Sequence, residues 1–150
     1  MQPKTAIVAD MLGIRPEWLE NVMWIESRLN PRAVNKTTGA TGLIQFMPAT
    51  AKSLGTTTEE LLEMDFDRQM DYVYMYLRPY RDKMSSQVDV YLAVFFPVAI
   101  GKPDSYVLQT AKLSPAIIAK QNAGYDLNKD NQVTKGEVAQ AITKLLQKKK

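Results

Sequence analysis

Apolar residues in this chain recur at the spacing of a helix and nowhere at that of a strand. Trp18, Val22, Ile25 and Leu29 fall on one helical face behind Pro16, whose fixed φ suits a first turn, and the run stops at Asn30-Pro31. Phe66, Met70, Val73 and Leu77 make a second stripe running towards Tyr80. Ser86 or Gln87 then opens an apolar segment that ends before Pro97. Shorter helices are expected from Pro48 to Leu54, closed by Gly55, and from Glu59 to Met64 behind Thr57 or Thr58. Ser114-Pro115 starts another that reaches about Asn122, and Val138, Ala141, Ile142 and Leu145 mark the last, fading into Lys148-Lys149-Lys150. Arg32 to Gly42, rich in Thr, Gly and Asn, reads as a loop. The expected fold class is therefore all-α.

A length of 150 residues, 45% of them hydrophobic, suits one compact domain with a small appendage. The apolar pattern weakens after Gly101-Lys102-Pro103, so a boundary is placed near residue 108, dividing 1–107 from 108–150. Neither cysteine nor histidine occurs, which excludes disulfides, thiol nucleophiles, Cys/His zinc sites and Ser-His-Asp triads. Chemistry must then run on carboxylates, amides, hydroxyls and hard metal ions. The net charge of +3, partly held in the terminal lysines, implies mild attraction to anionic polymers and not a nucleic-acid footprint. Val88 to Ile100 falls short of the roughly 20 residues that span a bilayer and is broken by Pro97. Met1 to Gly13 lacks the basic start and long apolar core of a secretory signal, so the expectation is a mature chain or one exported by other means.

Glu26 lies next to the first apolar stripe, in line with Leu19, Val22 and Met23, so its carboxyl falls at the edge of an apolar face. Partial burial there raises a carboxyl pKa, and a glycosidase needs such an acid, still protonated near neutral pH, to donate to the leaving oxygen. Taken alone, a glutamate on a helix flank is usually a solvated or salt-bridged residue. Downstream stands Gly42-Leu43-Ile44-Gln45-Phe46-Met47-Pro48, in which Gly42 permits a tight turn or close approach of a ligand to the backbone. Gln45 offers a donor and an acceptor for an N-acetyl or hydroxyl group, and Pro48 restarts a helix.

Glu26-Ser27, followed by Asn30-Pro31, Ala33, Gly39, Gly42 to Pro48 and Ala51, resembles the soluble lytic transglycosylase and goose-type lysozyme family. The resemblance covers about residues 14 to 101 and is strongest from 24 to 55. It implies a lysozyme-like helical domain acting on peptidoglycan at the β-1,4 bond between N-acetylmuramic acid and N-acetylglucosamine. It also implies Glu26 as general acid and base, Ser27 as a neighbour orienting the acid or the substrate, and Gly42 and Gln45 in the floor of the sugar groove. A third family signal, Ala-Tyr-Asn, has its counterpart at Ala93-Val94-Phe95-Phe96-Pro97: Phe95 stands for the aromatic and Phe96 for the asparagine, so a sugar-binding amide is lost. Tyr72, Tyr76 and Tyr80 share one helical face and Tyr74 another, and these or Tyr91 are further candidates to contact glycan.

The family route is substrate-assisted: the acid protonates the leaving oxygen, the N-acetyl group stabilises the oxocarbenium-like centre, and the muramyl 6-hydroxyl attacks to give a 1,6-anhydro product. A hydrolytic lysozyme would need a second carboxylate to position water, for which Asp65, Asp67, Asp71 and Asp89 stand unranked. A non-catalytic wall-binding module, consistent with Phe96, is the reading from another class. The implied partner is the peptidoglycan glycan strand, met by a monomer at the cell wall or periplasm, as a phage lysis or entry enzyme or a bacterial wall-remodelling one.

Asp126 to Glu137 matches the calcium loop of an EF-hand, with Asp126, Asn128, Asp130, the Gln132 carbonyl, Thr134 and Glu137 as the expected Ca²⁺ ligands. Asn131 replaces the usual glycine at a position that needs positive φ, which Asn tolerates better than other residues with a side chain. Lys129 and Lys135 lie in the loop and offset its negative charge. No partner loop exists in the sequence, so the expected role is a structural clamp on the C-terminal helices, with no cofactor needed for the chemistry.

Overall fold

The computed structural model describes residues 1–149. Among them are eight α-helices, joined by turns, short 3-10 segments and three isolated antiparallel bridges, so the all-α expectation holds. The helices group into two compact units, Met1–Asp82 and Lys83–Lys150. No helix of the described residues is long and apolar enough to cross a membrane.

In the first unit, α1 (Pro3–Leu12) packs against α2 (Pro16–Ser27) and α5 (Phe66–Leu77), with the short helices α3 (Pro48–Ser53) and α4 (Thr58–Glu63) between. Prolines occupy the first turns of α1, α2 and α3, where the missing N–H costs no helical hydrogen bond. Thr57 and Asp65 cap α4 and α5 by accepting from Glu60 N and Arg68 N. Helix α1 was not anticipated. Val8, Ala9 and Leu12 are buried while Ile7 and Met11 are exposed, so apolar residues lie on both faces and leave no clean period.

The expected loop from Arg32 to Gly42 holds short β pairing. Thr41 bridges both Val34 and Phe46, and Thr41 and Phe46 exchange backbone bonds of 2.9 and 2.8 Å across a turn made by Gly42 to Gln45.

The second unit is built on α6 (Gln87–Phe95), α7 (Pro115–Gln121) and α8 (Lys135–Leu146), capped by Ser86, Ser114 and Thr134. Packing groups α6 with the C-terminal helices in the unit that begins at Lys83. The reason is that α6 packs on α8 and shares a buried ion pair with it, Asp89 to Lys135 at 2.6 Å.

Candidate active site

Glu26 stands one residue before the end of α2 and is half-buried. Burial alone pushes its carboxyl up to about 7, the range a general acid needs at neutral pH. The helix ends abruptly beyond it. Arg28 and Leu29 both take left-handed conformations, with φ of 56° and 63°, and their amides bond back to Trp24 O and Met23 O. A left-handed arginine costs free energy that a glycine would not. Its guanidinium offsets this by donating to Trp24 O and Ile25 O and by stacking 4.0 Å from the centre of the Trp24 ring.

Ser27 is buried, and its hydroxyl lies 2.9 Å from both Met23 O and Leu43 O. The hydroxyl is turned into the protein, towards the backbone of its own helix and of the turn. Gly42 has φ of +88°, and an added Cβ would fall 2.5 Å from the Gln69 amide oxygen. This glycine is therefore required twice, by conformation and by the closeness of α5. Gln45 follows with φ of 58°, and its Nε2 donates to Ala33 O at 3.2 Å and Gly42 O at 3.0 Å. With both amide hydrogens committed to the loop, Oε1 is what Gln45 offers a sugar, as an acceptor.

Tyr76 links the turn to the acid. Phe46 meets Tyr76 edge to face with ring centres 6.2 Å apart. Burial, then the neighbouring Tyr80, then the Glu26 charge hold the Tyr76 hydroxyl above its ordinary range, which places this tyrosine in the electrostatic field of the acid. Tyr76 is among the tyrosines weighed from sequence. Tyr72 lies under the Arg68 guanidinium, and Tyr91 bonds the Tyr125 hydroxyl. Three of the four candidate aspartates are occupied elsewhere: Asp65 caps α5, Asp71 pairs with Lys4 at 2.9 Å and Arg68 at 3.5 Å, and Asp89 is locked to Lys135. Asp67 lies exposed in the first turn of α5.

Phe95 is the last residue of α6 and belongs to an aromatic cluster in the second unit, 5.6 Å from Tyr91, 5.2 Å from Tyr125 and 6.3 Å from Phe96 between ring centres. Tyr125 was missed in the sequence. Its one signal is its place directly before Asp126, where the chain turns from a 3-10 segment into the loop.

In that loop, one carboxylate oxygen from each of Asp126, Asp130 and Glu137 converges within 4.8 Å. Asn131 has φ of 64°, the left-handed value expected of its position. Asp126 accepts from Asp130 N and Asn131 N, Asn128 Oδ1 accepts from Asp130 N, and Asp130 accepts from Gln132 N. Glu137 reaches back to accept from Leu127 N at 2.7 Å while its other oxygen joins Thr134 in a capping box at the start of α8. Oxygen donors alone, three of them carboxylates, fit a hard divalent cation. Among the described residues the loop has no second hand beside it. Its pairing edge is taken by the chain itself, since Leu108 N donates to Val133 O and Val107 bridges Thr134. Lys135, expected to offset the loop's negative charge, is buried and donates to Asp89 and to Lys102 O.

Residues 6–72 match the family model described as the transglycosylase SLT domain. No curated protein matches the chain. The matched stretch contains Glu26, Ser27, Gly42 and Gln45 and ends before α6 and the acidic loop.

Proposed function

With residues 6–72 belonging to the transglycosylase SLT family, we propose that the chain cleaves peptidoglycan at the β-1,4 bond between N-acetylmuramic acid and N-acetylglucosamine and releases a 1,6-anhydro product. The observation that carries this reading is Glu26, whose carboxyl is raised to about 7 by burial with no charged neighbour among the causes. A protonated carboxyl can give its proton to the glycosidic oxygen as the bond breaks, and the resulting carboxylate can take the proton of the attacking hydroxyl. Positioning a water for hydrolysis would call on a second carboxylate. Of the four candidates, Asp65, Asp71 and Asp89 are held in caps and ion pairs, which leaves Asp67, exposed in the first turn of α5, as the one to test for a hydrolytic route. The family assignment supports a lytic-transglycosylase type of action on the wall, and Gln45 Oε1 supplies an acceptor for the sugar's N–H or hydroxyl groups.

Asp126, Asn128, Asp130, the Gln132 carbonyl, Thr134 and Glu137 would hold Ca²⁺, whose contribution is structural. The ion neutralises converging carboxylates and fixes the segment between Tyr125 and α8. The chain meets its substrate at the wall or in the periplasm, as a phage lysis or entry enzyme or a bacterial remodelling one. A zymogram on purified cell walls tests the proposal: the wild type clears the gel and Glu26→Gln does not. Retention on the walls without clearing would make the chain a binding module, the reading that the lost amide at Phe96 favours.

A further inference from the structure

The helix end that carries Glu26 and the turn that carries Gln45 meet at Leu43, and both backbone groups of Leu43 are held by side chains. Its carbonyl accepts from Ser27 Oγ at 2.9 Å, and its amide donates to Gln69 Oε1 at 2.6 Å. Gln69 is wholly buried on α5, and its Nε2 donates to Pro31 O at 2.9 Å and Leu61 O at 3.1 Å. Every polar atom of this amide is thus paired with backbone from a segment other than its own helix. The closeness to Gly42 leaves no room for a side chain there. One helical face of α5 therefore grips the turn twice, through Gln69 at Gly42-Leu43 and, seven residues on, through Tyr76 against Phe46.

We propose that Gln69 is a positioning residue for glycan cleavage: by holding Leu43 against Ser27 it fixes the Glu26 carboxyl relative to the sugar-binding amide of Gln45. A merely space-filling residue would leave Leu43 N and Pro31 O unpaired, and buried groups in that condition draw in water or shift the backbone. Either outcome reaches Glu26, because the raised pKa of that carboxyl depends on its being kept from water. The inference rests on Glu26 being the acid.

The test is the pH dependence of kcat/KM on soluble glycan chains from purified peptidoglycan, for the wild type, Gln69→Met, Ser27→Ala and Glu26→Gln. Each is assayed below its melting temperature and normalised to the folded fraction by circular dichroism. Methionine keeps the length of Gln69 and removes all three hydrogen bonds; alanine at Ser27 cuts the other half of the clamp. In Gln69→Met the rate per folded molecule should fall about tenfold or more, with the basic limb moving about one pH unit below that of the wild type. Tyr76, and Tyr80 beside it, are the other titratable groups near the acid; phenols titrate far above this limb. Wild-type rate, or a slower enzyme with an unmoved limb, would reduce Gln69 to a structural role and overturn the proposal. Should Gln69→Met fail to fold, Ser27→Ala decides alone, a displaced limb supporting the clamp and an unmoved one refuting it. Undiminished cleavage by Glu26→Gln would remove the reading beneath; an inactive Glu26→Gln with unmoved limbs elsewhere removes this inference only.

Discussion

Lys135 Nζ lies 2.6 Å from Asp89 Oδ1, with both side chains at least nine-tenths buried, so the acidic loop is fastened to the helix that ends in Phe95. Asp89 also accepts from Ser85 N, Ser85 Oγ and Gly101 N, which leaves neither of its oxygens unpaired. Breaking such a pair from one side strands a buried charge at a cost of about 3 to 5 kcal/mol. Lys135→Met should therefore lower stability by that order in urea unfolding, and the double change Lys135→Met with Asp89→Leu by clearly less. Equal losses for the single and double variants would mean that the lysine contributes through packing alone.

The same pair sets an acid limit. Burial opposes the charge on Asp89, but the hydrogen bond from Lys135, those from Ser85 and Gly101, and the lysine's charge outweigh it, so the carboxyl is held below its ordinary value. A depressed folded-state pKa contributes stability that is present above the unfolded value, about 3.9, and disappears as pH falls through the folded one. Stability should drop below about pH 4 more steeply in the wild type than in Asp89→Asn, as read by melting temperature against pH.

Glu26 acts with the opposite sign. Its carboxyl rises from 4.5 to about 7 on folding, so the folded state binds the proton more tightly and stability declines as pH climbs between those values. Glu26→Gln should equal the wild type in stability near pH 4 and exceed it by roughly 2 to 3 kcal/mol at pH 8. Its cleavage rate should fall on the order of 10² to 10⁴. In the wild type, activity should decline as pH rises through about 7, where the acid loses its proton.

Much of this was legible in the residues, and the rest was hidden for physical reasons. Pro16, Pro48, Ser114-Pro115 and the apolar stripes behind them announced their helices, because caps and first-turn prolines act locally. Glu26 and Gly42 could be singled out because they stand together in one stretch that resembles a known family; the apolar edge beside Glu26 alone would not have done it. Gln69 could not, since an amide reads as exposed; its signal was its place between Phe66 and Met70 on the buried stripe of α5. The burial of Lys135 was hidden because its partner Asp89 lies 46 residues away in the chain. The pairing of Val34, Thr41 and Phe46 joins residues too few to show alternation.

Calcium should raise the melting temperature by mass action, since converging carboxylates repel when empty and the folded loop binds preferentially. Glu137→Ala removes a ligand and half of the capping box, and should abolish the calcium effect while also costing about 1 kcal/mol without metal. Calorimetric titration with Ca²⁺ and with Mg²⁺ checks this, the larger ion binding more tightly. A melting temperature indifferent to chelator would leave Asp126 to Glu137 as a polar loop.

Product analysis tests the central claim most directly. Purified peptidoglycan digested with the wild type, and in parallel with Glu26→Gln, is resolved by mass spectrometry of the released muropeptides. The account predicts fragments ending in 1,6-anhydromuramic acid, lighter by one water than reducing-end products, from the wild type and none from Glu26→Gln. Reducing-end muramic acid as the main product, or equal release by both proteins, would contradict it.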